Sequence, residues 1–152
     1  FNLYLKAGQM FDQATALAGM AAQLVKLERF PEAVTKFDAA IERFRGLKDA
    51  TRLRKTLSAA GSARRKAGDE AGAAGNYAEA VALHRAAGDQ ASLSVDLSNL
   101  GDAREQSGDL AGALAAFTEA LTVDGALADK PGELSDRSGA ARVARKLGKR
   151  PV

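Results

Sequence analysis

The segment Gly68-Asp69-Glu70-Ala71-Gly72-Ala73 returns 40 positions later as Gly108-Asp109-Leu110-Ala111-Gly112-Ala113, and this period constrains the fold more than any other feature. The same step carries Tyr77, Glu79, Ala80 and Val81 onto Phe117, Glu119, Ala120 and Leu121. Backwards it reaches Phe37, Ala39, Ala40 and Ile41. Gly61 maps onto Gly101, with Ala21 and Ala141 in the outer copies, and Gly88-Asp89 maps onto Lys48-Asp49 and Ala128-Asp129. A register that keeps small residues and aromatics in place across three intervals belongs to a structural repeat.

Each period reads as two helices. First helices are predicted near 11–27, 51–67, 91–107 and 131–147, second helices near 31–45, 70–86 and 110–125. Leu17, Met20, Ala21 and Leu24 recur at helical spacing in one first helix, and Leu97, Leu100 and Gly101 in another. Phe30, Ala33, Val34, Phe37, Ala40 and Ile41 form an apolar stripe in a second helix, matched by Leu110, Ala113, Leu114, Phe117, Ala120 and Leu121. The Gly-Asp pairs stand between helices, where Gly closes one helix in a left-handed conformation and Asp accepts hydrogen bonds from the free N–H groups of the next. Pro31 opens a second helix, at a position where its missing N–H costs little. Gly61 and Gly101 cost a helix about 1 kcal/mol each against Ala, which close packing against a neighbour must recover. The chain is thus one all-α repeat domain over 1–152. It comprises a remnant helix at about 1–6, in register with 41–46, helical hairpins at about 10–46, 50–86 and 90–125, and a last helix at about 131–147.

Composition narrows the function. There is no Cys, which excludes a disulfide framework, a thiolate metal site and a cysteine nucleophile. A net charge of +3 from 22 basic and 19 acidic residues is too small to imply nucleic-acid binding. No apolar run approaches the roughly 20 residues of a bilayer span, and no signal-peptide pattern is present, so membrane insertion is not expected. The chain starts at Phe1, as a piece of a longer protein would. A cytoplasmic location is expected, with the abundance of alanine pointing to a bacterial origin. His84 aligns with Phe44 and Asp124, a position of mixed chemistry that reads as structural or surface use. The pair Asp69-Glu70 suits a helix start, where negative charge is favoured. Gly-rich stretches near 68–75 lack the Gly-Lys-Ser/Thr of a phosphate loop. No catalytic constellation, cofactor motif or metal-ligand spacing emerges, and no enzyme is expected.

Leu97, Leu100, Gly101, Gly108, Leu110, Ala113, Phe117 and Ala120 resemble the tetratricopeptide repeat (TPR) family. Leu57, Ala60, Gly61, Gly68, Ala73, Tyr77 and Ala80 form a second copy, and Leu17, Met20, Ala21, Phe30, Ala33, Phe37 and Ala40 a third, with Glu28 at the turn Gly. The fourth has Ala140, Ala141 and Gly148, with Arg137 where a large apolar residue belongs. A period of 40 in place of the family's 34 is similar to its long-helix branch. The resemblance implies a right-handed superhelical solenoid of stacked antiparallel helix pairs, its concave face lined by first helices and used to bind a protein or peptide without catalysis.

On that reading, Gly19, Ala59, Asn99 and Gly139 occupy one groove position, where long-helix relatives carry an Asn that holds a peptide backbone. Here only Asn99 matches, so a ladder of such residues is absent. Lys26, Lys66, Gln106 and Lys146 occupy another level, with Val25, Arg65, Glu105 and Arg145 beside them. The candidate groove residues are Lys26, Arg65, Lys66, Asn99, Glu105, Arg145 and Lys146. Residues 52–66 hold six basic side chains and no acidic one, which suits a solvated face, an acidic protein or peptide, or, more remotely, nucleic acid. A structural alternative is self-assembly through the repeat ends, for which Phe1, Leu3, Tyr4 and Leu5 supply apolar surface.

Overall fold

The computed structural model of the chain describes residues 2–148. These form seven helices: α1 (Asn2–Lys26), α2 (Phe30–Gly46), α3 (Ala50–Lys66), α4 (Glu70–Ala87), α5 (Gln90–Ser107), α6 (Leu110–Leu127) and α7 (Lys130–Lys146). The architecture is all-α, built of stacked antiparallel helix pairs joined by tight turns.

The turns explain the regularity. Glu28, Lys48, Gly68, Gly88, Gly108, Ala128 and Gly148 all have positive φ, and each stands 20 positions after the last. The following amide then bonds back to a carbonyl five residues earlier, as in Asp49 N–H to Phe44 O (3.1 Å), Asp89 to His84 (3.1 Å) and Asp109 to Arg104 (2.8 Å). This closes the finished helix in a Schellman-type cap. The same Asp opens the next helix: Asp49, Asp89, Asp109 and Asp129 accept from the amides of Arg52, Ser92, Gly112 and Gly132. At the first turn the N-cap is Arg29, with no side-chain cap. There Pro31 and an Arg29–Glu32 ion pair open α2 instead.

The N-terminal segment differs from expectation. The predicted remnant helix at 1–6 is continuous with the first repeat helix, and α1 runs unbroken for 25 residues. Gly8-Gln9 stands where Gly88-Asp89 turns the chain. Gln is a poor N-cap, so nothing favours stopping one helix and starting another. Phe1 lies outside the described residues.

Two compact units are present, residues 1–69 and 70–152, so α3 and α4 of the expected 50–86 hairpin fall in different units. Within the units consecutive helices pack on one another, with α2 against both α1 and α3, α5 against α4 and α6, and α6 against α5 and α7, so a hairpin is not itself a packing unit. In the first unit Ala33, Phe37, Ala40, Ile41 and Phe44 of α2 are buried with Leu53, Leu57, Ala60 and Ala63 of α3 and Ala14 and Ala21 of α1. Met20, placed in the α1 stripe by spacing, is exposed.

In the second unit Tyr77, Val81, Leu93, Leu97, Leu100, Ala116, Ala120 and Val123 form one core cluster, and Ala113, Phe117, Ala140 and Val143 another. The Phe117 ring is seated between two glycines. A Cβ on Gly101 of α5, or on Gly139 of α7, would stand 2.8 Å from it. Gly101 thus packs closely as its sequence position suggests. Gly139, assigned to the groove by alignment, is instead a buried packing seat.

One helix approaches the length that no apolar run was expected to reach. Leu110–Leu127 is long and apolar enough to cross a bilayer by composition, with mean hydropathy 1.3 over 18 residues. Here α6 packs between α5 and α7 and buries Asp124, which a lipid-exposed span would not tolerate readily.

Candidate functional site

The first helices of each period leave one register uncovered. In the first unit it comprises Thr15, Gly19, Ala22 and Lys26 on α1, and Lys55, Ala59, Ser62 and Lys66 on α3. All of these are exposed except Ala59, which is half-buried. Successive residues are three or four apart, so each set shares a helix face. The second-unit counterparts are Val95, Asn99, Asp102 and Gln106 on α5, and Ser135, Gly139, Arg142 and Lys146 on α7. Apart from buried Gly139 these are exposed or half-buried.

In the first unit, Lys26 is exposed at the end of α1, where the helix dipole favours a cation. Lys66 is exposed with its ammonium 5.6 Å from the centroid of the Phe30 ring. Arg65 is half-buried beside it. Part of the basic run is already neutralised. Arg64 forms a bidentate pair with Asp38 (2.9 Å for both bonds) and approaches Asp69 at 3.2 Å. Arg52 pairs with Asp49 at 2.9 Å and lies 4.7 Å from the Phe11 ring. Lys55 and Lys66 remain as exposed cations of the run.

In the second unit, Glu105 is not a surface contact. Its side chain is 1% exposed, accepting from Arg142 (2.6 Å) and Lys146 (2.6 Å). Those hydrogen bonds hold its carboxyl at about 2, against the cost of burial. Asp102 adds a longer contact to Arg142, 3.6 Å. Glu105 therefore anchors α7 on α5, and Lys146 is held by it. Asn99 is half-buried and Arg145 exposed, and neither enters this cluster. Lys26, Arg65 and Lys66 belong to one unit, the other four candidates to the second.

His84, read from its alignment as structural or surface, belongs to a set of buried polar residues that also includes Asp96, Asp124 and Asp136. His84 is buried, its Nε2 3.2 Å from Asp96 and its Nδ1 3.5 Å from Asp89. One period on, Asp124 and Asp136 take the places of His84 and Asp96, and both are 1% exposed. The signal was the alignment of His84 and Asp124 with Phe44, which is itself buried. Among the described residues no group of three or more acidic or His side chains is arranged to hold a metal ion.

No family model and no curated protein matches this chain. Solved structures do. BtubC (BKLC) from P. vanneervenii superposes with a TM-score of 0.77 at 17% identity, covering 89% of this chain and 56% of that one. The N-terminal domain of stress-induced protein-1 (STI-1) from C. elegans gives 0.66 at 21% identity, covering 92% and 98%. The TPR domain of Arabidopsis FLU gives 0.66 at 17% identity, covering 74% and 95%. These likenesses, with the helix arrangement, define a TPR-like, all-helical solenoid fold.

Proposed function

We propose that this chain is a non-catalytic interaction module of the long-helix TPR type that binds an acidic protein or peptide along the uncovered faces of its first helices. The observation that carries this reading is the uncovered register of the first unit, lined by short side chains on α1 and α3 and ending in the exposed cations Lys26 and Lys66. Short side chains let a partner backbone approach, and cations at a fixed level select negative charge and speed its association. In the second unit the half-buried Asn99 amide, at the equivalent position of α5, offers a donor and an acceptor together. A labelled polyglutamate peptide should bind the chain at low salt and lose affinity as salt rises. Lys66→Glu should weaken that binding several-fold while leaving thermal melting in place. Equal binding by the native chain and a Lys55→Glu, Lys66→Glu double variant would defeat the proposal.

A second reading is self-assembly. Leu3 and Tyr4 are 81% and 86% exposed on the first turns of α1, and a partner helix would cover them. Mass measured across a concentration series separates the two, since a constant monomer excludes assembly.

A further inference from the structure

At the α6–α7 contact two carboxylates meet out of water. Asp124 in the last turns of α6 and Asp136 in α7 are each 1% exposed. Three of their four oxygens, Oδ2 of Asp124 and both of Asp136, reach no hydrogen-bond partner. The fourth accepts from the hydroxyl of Ser94 on α5. The carboxylate of Asp124 also abuts the first turn of α7, where a Cβ on Gly132 would lie 2.5 Å from Oδ2. The positive end of that helix favours a negative charge there. Asp136 lies further along α7, away from that end. The preceding interface shows what is unusual, because its equivalent residues are the acid–base pair His84 and Asp96. Two buried like charges cannot both be held without a proton or a counter-ion.

We propose that the Asp124–Asp136 contact is a proton-dependent latch: α7 docks on α5 and α6 while the pair holds a proton, and loosens when both carboxyls are ionised. The groups facing Asp136 agree. From α6 it meets Asp124 and from α5 Asp102, both of which raise its pKa, while the nearby Ser98 hydroxyl on α5 works the other way. On α7 itself, Arg142 is engaged by Glu105 and Asp102, and Glu133 is paired with Lys130. Burial is the largest cause, and the carboxyl is pushed up to about 6. A raised acid stabilises the docked state fully below its unfolded value near 4, and that stabilisation is lost as pH rises through 6. Docking of α7 should therefore weaken by about tenfold to a hundredfold between pH 4 and pH 7. Glu105, held at about 2, stays ionised across that window and keeps Arg142 and Lys146 in place.

The test is hydrogen exchange on the full chain at pH 5 and pH 8, corrected for intrinsic rates, comparing α7 amides with those of α5. Protection of α7 should fall at pH 8 relative to α5, and Asp136→Asn should restore it and flatten the pH dependence. A carbon-13 titration of the native Asp136 carboxyl, which needs no variant, should give a midpoint near 6. A midpoint near 4, or equal α7 protection at both pH values, overturns the latch. So would a melting temperature at fixed pH that rises with added calcium and falls with chelator, since a cation would then be balancing the pair.

Discussion

Single residues carry the geometry at two kinds of position. The first is the helix–helix seat, where Phe117 has Gly101 on one side and Gly139 on the other and no room to move away from either. Gly101→Leu should destabilise the second unit by about 1–3 kcal/mol, read from urea unfolding. Gly139→Ala should also destabilise, despite Ala's better helix propensity, because its Cβ meets the same ring. The second kind is the left-handed turn. Lys48 and Ala128 hold positive φ where other copies use glycine. Ala128→Gly should relieve that strain and raise stability by up to about 1 kcal/mol, measured as a higher melting temperature. An unchanged or lower value would mean that the extra freedom Gly gives the unfolded chain cancels the relief.

Among the elements, α7 is the one whose attachment depends most visibly on charge. Glu105 is buried while its partners Arg142 and Lys146 are 44% and 50% exposed at the side chain, so water screens the cations but not the carboxylate. Glu105→Gln should cost about 1–3 kcal/mol at pH 7, since it removes charge-assisted bonds from a buried acceptor. The sign with pH follows from a carboxyl held at about 2. Its stabilisation is present above the unfolded value near 4.5 and is lost as pH falls towards 2. Denaturation of the native chain and the variant should converge in strong acid. Asp136 acts in the opposite sense, so the two together place the firmest docking of α7 near pH 4–5.

For the whole molecule, a net charge of +3 says little, while its distribution says more. Arg52 and Arg64 are consumed by Asp49 and by Asp38 with Asp69, so the six-cation run of α3 presents fewer cations to a partner than its count suggests. Salt dependence of acidic-peptide binding should accordingly be modest, and Lys66→Glu should change it more than Arg52→Glu, as a fluorescence titration at two salt concentrations would show. The all-helical repeat was legible in the sequence because small residues, aromatics and Gly-Asp turns return in register, and each acts locally through packing size or capping. The continuity of α1 was less legible, since Gly8 looks like the other turn glycines and only the missing Asp distinguishes it. For the candidate groove the sequence offered a list of charges and Asn99 by position, and it carried no sign of which of them pair. Glu105 reads as a groove charge by position and becomes interior only because α7 lays Arg142 and Lys146 over it. Sequence alone thus determined the all-helical repeat and the Gly-Asp turns that cap its helices, both of which depend on contacts within a few residues. Tertiary structure alone decided which charges are buried, which are paired and that Asp124 meets Asp136, because those depend on helices brought side by side and on the water they exclude.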